Sequence, residues 1–223
     1  MIELVELAKE VSPYTVAGEG NVSMRIQDGI RSGFYIKASG TTLANLESKD
    51  LVLCDFEGNP KKTNKKPSME VSFHAWILNS FPEVNYVCHT HPPHTAKILC
   101  SSRANVFANE RLFPDQVVRN GRRSCLVPYA TPGIKLRDAI QESVEMFMRT
   151  ERHFPRLILL QNHGIITTGA SAKECAVSTL MCEKSAEIFI GAKLLNNMKF
   201  LTSQEVDELD SNPSEEYRRM VYQ

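Results

Sequence analysis

Short apolar runs recur along this chain, and most of them contain β-branched or aromatic residues between turn residues. Runs of this kind predict β-strands, because such side chains pack well on a pleated, half-buried surface. A further strand is expected directly after the turn that ends at Gly20. The remaining runs span 33–38, 51–55, 84–88, 104–108, 124–127, 156–161 and 165–168.

Apolar positions with a helical period separate several of these runs. Ser68 suits an N-cap, Pro132 suits a first helical turn, and Ser171 with Glu174 forms a capping box. Helices and strands without strict alternation predict an α/β fold with layered helices and a largely antiparallel sheet. No repeat or linker interrupts the pattern, so we expect one domain over 1–223. The predicted helices span 1–11, 67–79, 94–101, 131–150 and 171–196, with a short one from 202.

Composition excludes some classes of function. The net charge is zero, so no broad basic surface indicates nucleic-acid binding. No apolar run reaches the length of about 18 residues that spans a membrane, and the N-terminus lacks the basic start of a signal peptide. Six cysteines form no Cys-x-x-Cys pair, which favours a reducing cytoplasm without disulfides.

Three histidines at predicted strand ends indicate a metal site. His89 and His91 are two positions apart, so on a strand they face the same side, and His163 follows another strand. Three imidazoles with one open position are typical of catalytic zinc. The ordinary alternative is a histidine that only makes a hydrogen bond. His94 is either a fourth ligand or a residue at a helix start.

Small and hydroxyl residues form three segments suited to an anion. Gly20 and Asn21 end one turn, Ser39 and Gly40 form another, and Ser68 begins a helix, where backbone N–H groups point outward. Each segment also has the bland explanation of an ordinary turn or cap. Glu70 lies where the helix dipole favours a carboxylate.

Five motifs in order, covering about 17 to 191, resemble the class II aldolase/adducin family. The match is specific because it needs all five in sequence rather than one. The motifs are Gly20-Asn21-Val22-Ser23, Ala38-Ser39-Gly40, Pro67-Ser68-Met69-Glu70, His89-Thr90-His91 and Asn162-His163-Gly164.

The resemblance implies a fold and a set of site residues. The implied fold is a three-layer α/β/α sandwich with a central, mainly antiparallel sheet. Zn²⁺ or another divalent ion would be bound by His89, His91 and His163, with Glu70 as catalytic acid/base. Met69 replaces a serine of the family motif, which removes one hydroxyl but keeps the backbone N–H. The implied substrate-binding residues are Gly20, Asn21, Ser39, Gly40, Ser68 and Met69.

The activity implied is retro-aldol cleavage of a ketose 1-phosphate. A metal-stabilised enediolate would form, and dihydroxyacetone phosphate and an aldehyde would be released. A glutamate at position 70 favours the aldolases over the 4-epimerases, which usually have aspartate there. A sugar-phosphate dehydratase, a decarboxylase, a 4-epimerase and a non-catalytic adducin-like domain stay open as alternatives.

The resemblance also implies a homotetramer with sites between subunits. The aldolases' tyrosine from the neighbouring subunit has no clear counterpart in this chain. Asp115 lies in a segment, 109–115, that is predicted to be an irregular loop with two carboxylates, those of Glu110 and Asp115. We expect Asp115 to take over the proton-transfer role of that tyrosine.

Overall fold

A single mixed sheet organises the part of the chain that the structure describes. The structure is a computed structural model that describes residues 1–27, 32–196 and 198–214, without the side chain of Gln27. Within these ranges the sheet has seven strands in the order β3-β2-β1-β4-β7-β6-β5. The strands are β1 Asn21–Gln27, β2 Ser32–Lys37, β3 Leu51–Cys54, β4 Tyr86–Thr90, β5 Cys125–Val127, β6 Leu157–Leu160 and β7 Ile165–Gly169.

Antiparallel pairing dominates this sheet. Strand β1 pairs antiparallel with β2 and β4, β2 with β3, and β7 with β4 and β6. The parallel pair is β5 with β6, at one edge. The predicted α/β fold with a mainly antiparallel central sheet is therefore confirmed.

Eight α-helices lie in the described ranges and cover both faces of the sheet. Helices α2 and α6 pack on one face, and α1, α3 and α7 pack on the other. None of the described helices has the length and apolar character to cross a membrane. The helices are α1 Ile2–Val11, α2 Val71–Ser80, α3 Pro93–Leu99, α4 Ala104–Asn109, α5 Pro114–Asn120, α6 Ile134–Glu151, α7 Ala172–Leu194 and α8 Ser203–Asp210.

The strand alternation separates two apolar cores at the centre of the sheet. On β4, Val87 packs toward α2 in one cluster, while Cys88 packs toward α1 and α7 in another. This places His89 on the α2 face, where its ring meets Phe73 edge to face with centroids 5.8 Å apart. The His89 side chain therefore lies in the buried space between the sheet and α2.

Two predictions of local structure were wrong. The run 104–108 forms helix α4 instead of a strand, and Ala104, Phe107 and Ala108 are buried on one helical face. A five-residue apolar run fits either period, and packing of Phe107 against Phe189 with centroids 5.5 Å apart fixes the helical one. The predicted loop 109–115 also ends early, because Pro114 begins α5.

The predicted start of α2 needs a smaller correction. Ser68 precedes the helix, and Glu70 is the N-cap residue, with α2 beginning at Val71. The Ser68 Oγ atom accepts a hydrogen bond from the Glu70 backbone N–H at 3.3 Å. This bond turns the chain just before the helix, which directs the Glu70 side chain toward the sheet.

Candidate active site

The end of β4 and the turn between β6 and β7 bring three histidines together. A nitrogen of each of His89, His91 and His163 lies within 4.8 Å of the other two. The Nε2 atoms of His89 and His91 are 3.0 Å apart. His163 reaches them because β7 pairs with β4, and this pairing aligns His89 with Ile166. The structure thus assembles the three predicted ligands into one group.

Polar contacts at the outer ring nitrogens define how two of these imidazoles face the site. The Nδ1–H of His89 donates to the Ile165 carbonyl at 2.8 Å, which leaves its Nε2 with a lone pair. The Nδ1 atom of His91 lies 3.4 Å from the Glu19 carboxylate, and its Nε2 is close enough to the His89 Nε2, at 3.0 Å, to donate a hydrogen bond to it. A cation between the two Nε2 atoms would take the place of that shared proton. This donor set fits a divalent metal.

Burial keeps two of the imidazoles neutral, as metal ligation requires. Burial, aided by the neighbouring His91, lowers the pKa of His89 to about 3. Burial and the neighbouring His89 lower the pKa of His163 to about 4, against a raising effect of Glu70. Neutral imidazoles offer their lone pairs without first losing a proton.

The Glu70 carboxylate lies beside this group. Its Oε2 atom is 3.3 Å from the His89 Nε2, and its Oε1 atom is 3.5 Å from the His163 Nε2. Asn21 donates from Nδ2 to the Glu70 Oε2 at 2.8 Å. Among the described residues, the buried Glu70 Oε1 and His163 Nδ1 atoms have no hydrogen-bond partner. A polar group at this point would satisfy the orphaned carboxylate oxygen.

The three predicted anion segments lie close to one another. Lys37 is buried, and its Nζ donates to the Gly18 carbonyl of the first turn and the Thr41 carbonyl of the second, at 3.0 and 2.6 Å. Its backbone carbonyl accepts from the Ser68 N–H at 3.0 Å. Burial lowers the pKa of Lys37, and the Glu70 charge opposes this. Lys37 therefore joins all three segments.

Space remains beside the second turn. Gly40 has φ of +82°, and a β-carbon built on it meets no atom within 4 Å. Ser39 and Gly40 are exposed, whereas Ser68 is buried and Met69 is 80% exposed. The Met69 side chain therefore points to solvent, and only the backbone of Met69 lies next to Glu70. Gly20, with φ of +67°, approaches the His89 carbonyl, where a β-carbon would lie 2.7 Å away.

Two residues considered from sequence lie outside the histidine group. Asp115 is in the first turn of α5, a helix that packs against α7 and α8. His94 lies in the first turn of α3, and its Nδ1 lies 2.8 Å from the Glu183 Oε1 atom. Among the described residues, neither Asp115 nor His94 is part of the group of three histidines. His94 has the alternative role, that of a helix-start residue.

Sequence analysis missed four residues that contact the site. Glu19 contacts His91, Lys37 joins the anion segments, and Ser23 and His74 form a buried pair behind Asn21. Glu19 and Ser23 lie within recognised motifs or next to them. For Lys37, a lysine within an apolar strand run is the available signal.

Comparison with known proteins agrees with this geometry. The family model described as Class II Aldolase and Adducin N-terminal domain matches residues 3–190. The chain belongs to this family. This match confirms the resemblance inferred from the five motifs. The family members that are similar to this chain include enzymes with different activities.

Two curated relatives illustrate that range. A 3-oxo-tetronate 4-phosphate decarboxylase of Haemophilus influenzae is 30% identical over 202 residues, covering 89% of each chain. An L-fuculose phosphate aldolase of Methanococcus maripaludis is 29% identical over 187 residues, covering 83% of this chain and 91% of that protein. Similarity at this level places the chain in the family without selecting one reaction.

Solved structures share the fold over nearly the whole chain. YgbL of Escherichia coli matches with a TM-score of 0.78 and 25% identity, covering 94% of this chain and 97% of that one. An L-fuculose 1-phosphate aldolase matches with a TM-score of 0.78 and 21% identity, covering 97% and 95%. The class II aldolase fold is therefore established for this chain.

Proposed function

We propose that this chain is a divalent-metal-dependent lyase that cleaves a carbon–carbon bond in a phosphorylated sugar. The observation that supports the proposal is the Glu70 carboxylate, 3.3 and 3.5 Å from two histidines of a group of three. In this proposal His89, His91 and His163 bind Zn²⁺ or another divalent ion. The first candidate reaction is retro-aldol cleavage of a ketose 1-phosphate to dihydroxyacetone phosphate and an aldehyde.

Glu70 performs the proton transfers in this proposal. A divalent ion held by the histidines would supply Lewis acidity at the substrate carbonyl and stabilise developing negative charge. The Glu70 carboxylate accepts the proton of the hydroxyl whose carbon becomes the aldehyde, as the bond to the neighbouring carbon breaks. The same group then returns that proton to the carbon of the ketone fragment. The Glu70 side chain is only 12% exposed, which limits the access of competing water.

The phosphate is expected at the three anion segments. Gly20, Asn21, Ser39, Gly40 and Ser68, with the Met69 backbone, form this part of the proposed site. The Lys37 ammonium adds positive charge, and both of its hydrogen-bond acceptors are neutral carbonyls. Binding energy from the phosphate would then position the reacting carbons against Glu70.

Decarboxylation of a phosphorylated 3-oxo sugar acid is the second candidate. The specific observation in its favour is 30% identity, over 89% of both chains, to a 3-oxo-tetronate 4-phosphate decarboxylase. The carboxylate carbon would leave as carbon dioxide, and the electron pair would stay next to the carbonyl. Glu70, once protonated from solvent, would deliver its proton to the carbon that the carboxylate has left. The two candidates thus differ in the leaving fragment and use the same residues.

Metal content and paired assays test the proposal. Elemental analysis is expected to give about one divalent ion per chain, and His89→Ala and His163→Ala are expected to lose it. Purified protein is then assayed with L-fuculose 1-phosphate and with a 3-oxo-tetronate 4-phosphate. Glu70→Gln is expected to keep the metal and lose at least about 100-fold in kcat on the accepted substrate. Protein that binds no divalent ion after reconstitution would overturn the proposal.

We also propose a homotetramer whose neighbouring subunits complete the sites. Support comes from Val16 and Met69, which are apolar, 72% and 80% exposed, and close in sequence to Glu19 and Glu70. In this proposal Asp115 contributes proton transfer, and Asp115→Asn is expected to lower kcat while the metal stays bound. Light scattering after size-exclusion chromatography measures the assembly, and a monomeric active enzyme would contradict it.

A further inference from the structure

A buried chain of hydrogen bonds runs from β1 through α2 to the Glu70 carboxylate. Ser23 Oγ lies 2.6 Å from the His74 Nδ1, the His74 Nε2 contacts the Asn21 Oδ1, and Asn21 Nδ2 lies 2.8 Å from Glu70 Oε2. Ser23 and His74 are fully buried, and Asn21 is 2% exposed. A polar set that is so completely enclosed is costly unless every member is satisfied.

The direction of each hydrogen bond follows from the carboxylate end. A carboxylate only accepts, so the Asn21 amide directs its NH₂ group to Glu70 and its oxygen to His74. His74 must then donate from Nε2, because an amide oxygen only accepts. Its Nδ1 therefore carries a lone pair and accepts the Ser23 hydroxyl proton. One tautomer of His74 satisfies the whole chain.

The surroundings of His74 hold this arrangement in place. The ring of Phe73 stacks on the His74 ring with centroids 4.5 Å apart and an interplanar angle of 22°. Burial lowers the pKa of His74 well below its ordinary value, so the imidazole stays neutral. A neutral ring can both donate and accept, whereas a protonated ring would donate from both nitrogens and the Ser23 hydroxyl would have to turn and accept.

We propose that Ser23 and His74 orient the Asn21 amide and thereby hold the Glu70 carboxylate in its working position, which makes His74 a positioning residue of the enzyme. The Asn21 amide has two N–H groups, and one of them is used by Glu70. Its fixed orientation leaves the second N–H for a substrate oxygen. The role assigned to Glu70 rests on the proposed function, whereas the tautomer and the hydrogen-bond chain do not.

Nuclear magnetic resonance of ¹⁵N-histidine protein tests the chain itself, in the full-length protein and without substrate. The chain holds six histidines, and the signal that disappears in His74→Gln assigns His74. A neutral His74 ring with its proton on Nε2 is the expected result. A proton on Nδ1 would reverse the donor and acceptor roles and overturn the proposal. This measurement is independent of which substrate the enzyme accepts.

Kinetics of two variants at position 74 test the positioning role. His74→Leu removes both hydrogen bonds, and we expect kcat to fall about 10- to 100-fold with KM and metal content nearly unchanged. In His74→Gln the side-chain amide can donate to Asn21, so we expect part of the lost kcat to return. Folded, metal-loaded His74→Leu with the native kcat would overturn the proposal.

Two controls separate positioning from mere packing. Ile77→Val changes a fully buried residue on the same helix, and it is expected to lower the melting temperature without changing kcat. Ser23→Ala removes one small group from the chain, and kcat is expected to fall by less than in His74→Leu. If His74→Leu does not fold, Ser23→Ala with unchanged kcat overturns the proposal.

If native protein converts neither substrate class, the proposed function fails. The ¹⁵N spectrum alone then tests the hydrogen-bond chain.

Discussion

Gly164 lies so close to His91 that a β-carbon built on it would be 2.5 Å from the His91 Cδ2 atom. The same β-carbon would be 2.5 Å from the Thr90 carbonyl oxygen and 3.3 Å from the His89 Cε1 atom. No real β-carbon contact is that short, so the backbone here accommodates no side chain. Glycine at this position lets the turn that holds His163 approach the end of β4.

Gly164→Ala is therefore expected to push His91 and His163 apart. We expect metal affinity to fall at least about 10-fold and stability to fall by about 1–3 kcal/mol. Competition with a chromophoric chelator measures the affinity, and urea unfolding measures the stability. The matched control is Gly191→Ala on α7, where a β-carbon meets nothing within 4 Å. Native metal affinity in Gly164→Ala would contradict the expected displacement.

Glu19 offers a second test of the metal group. Its carboxylate lies 3.4 Å from the His91 Nδ1, where it would orient the ring and increase its basicity as a ligand. Glu19→Gln is expected to weaken metal binding about 10- to 100-fold, as measured by chelator competition. The exposed Glu10 on α1 provides the control Glu10→Gln, which should bind metal as native protein does. Equal metal affinities of the two variants would show that Glu19 does not contribute to metal binding.

Lys37 is expected to determine the preference for phosphorylated substrates. Lys37→Gln keeps a hydrogen-bond donor and removes the charge, so we expect KM for the phosphorylated substrate to rise about 10-fold or more. Activity on the same sugar without phosphate should change little. The control is Lys61→Gln, because Lys61 is exposed and contacts the Ser32 carbonyl. An equal loss on both substrates would show a structural role instead.

Acid is expected to destabilise the metal-free protein below about pH 6.5, the ordinary histidine pKa. Burial lowers the pKa of His89 to about 3, of His163 to about 4, and of His74 well below 6.5. Between these values and pH 6.5 the unfolded chain binds protons that the folded chain does not. The free energy of unfolding therefore falls as the pH falls, by up to about 1.4 kcal/mol per pH unit for each histidine.

Urea unfolding between pH 7 and pH 5, with a chelator present, measures this slope. His163→Gln removes one of the three groups and should reduce the slope. A free energy of unfolding that is constant from pH 7 to pH 5 would contradict the buried, neutral state of these rings.

Local sequence patterns predicted much of the architecture. Strands such as 51–55 and 84–88 and helices such as 171–196 have strong periods, and the structure has β3, β4 and α7 at these positions. Where the period was weak, prediction failed: the five residues of 104–108 fit a strand or a helix, and contact with α7 decided for the helix. The five motifs also identified the family, because each combines particular residue types and all five occur in the family's order.

Which side chains meet depends on the three-dimensional fold. Asn21 and Glu70 are 49 positions apart, and His89 and its acceptor Ile165 are 76 apart, so no local pattern relates them. The antiparallel register of β1, β4 and β7 brings Asn21, His89 and Ile166 side by side across three strands. Lys37 and His74 gained their contacts in the same way, through burial between elements that are distant in sequence. These contacts depend on the pairing of strands that are distant in sequence. They could not be predicted because the sequence alone does not reveal the strand register.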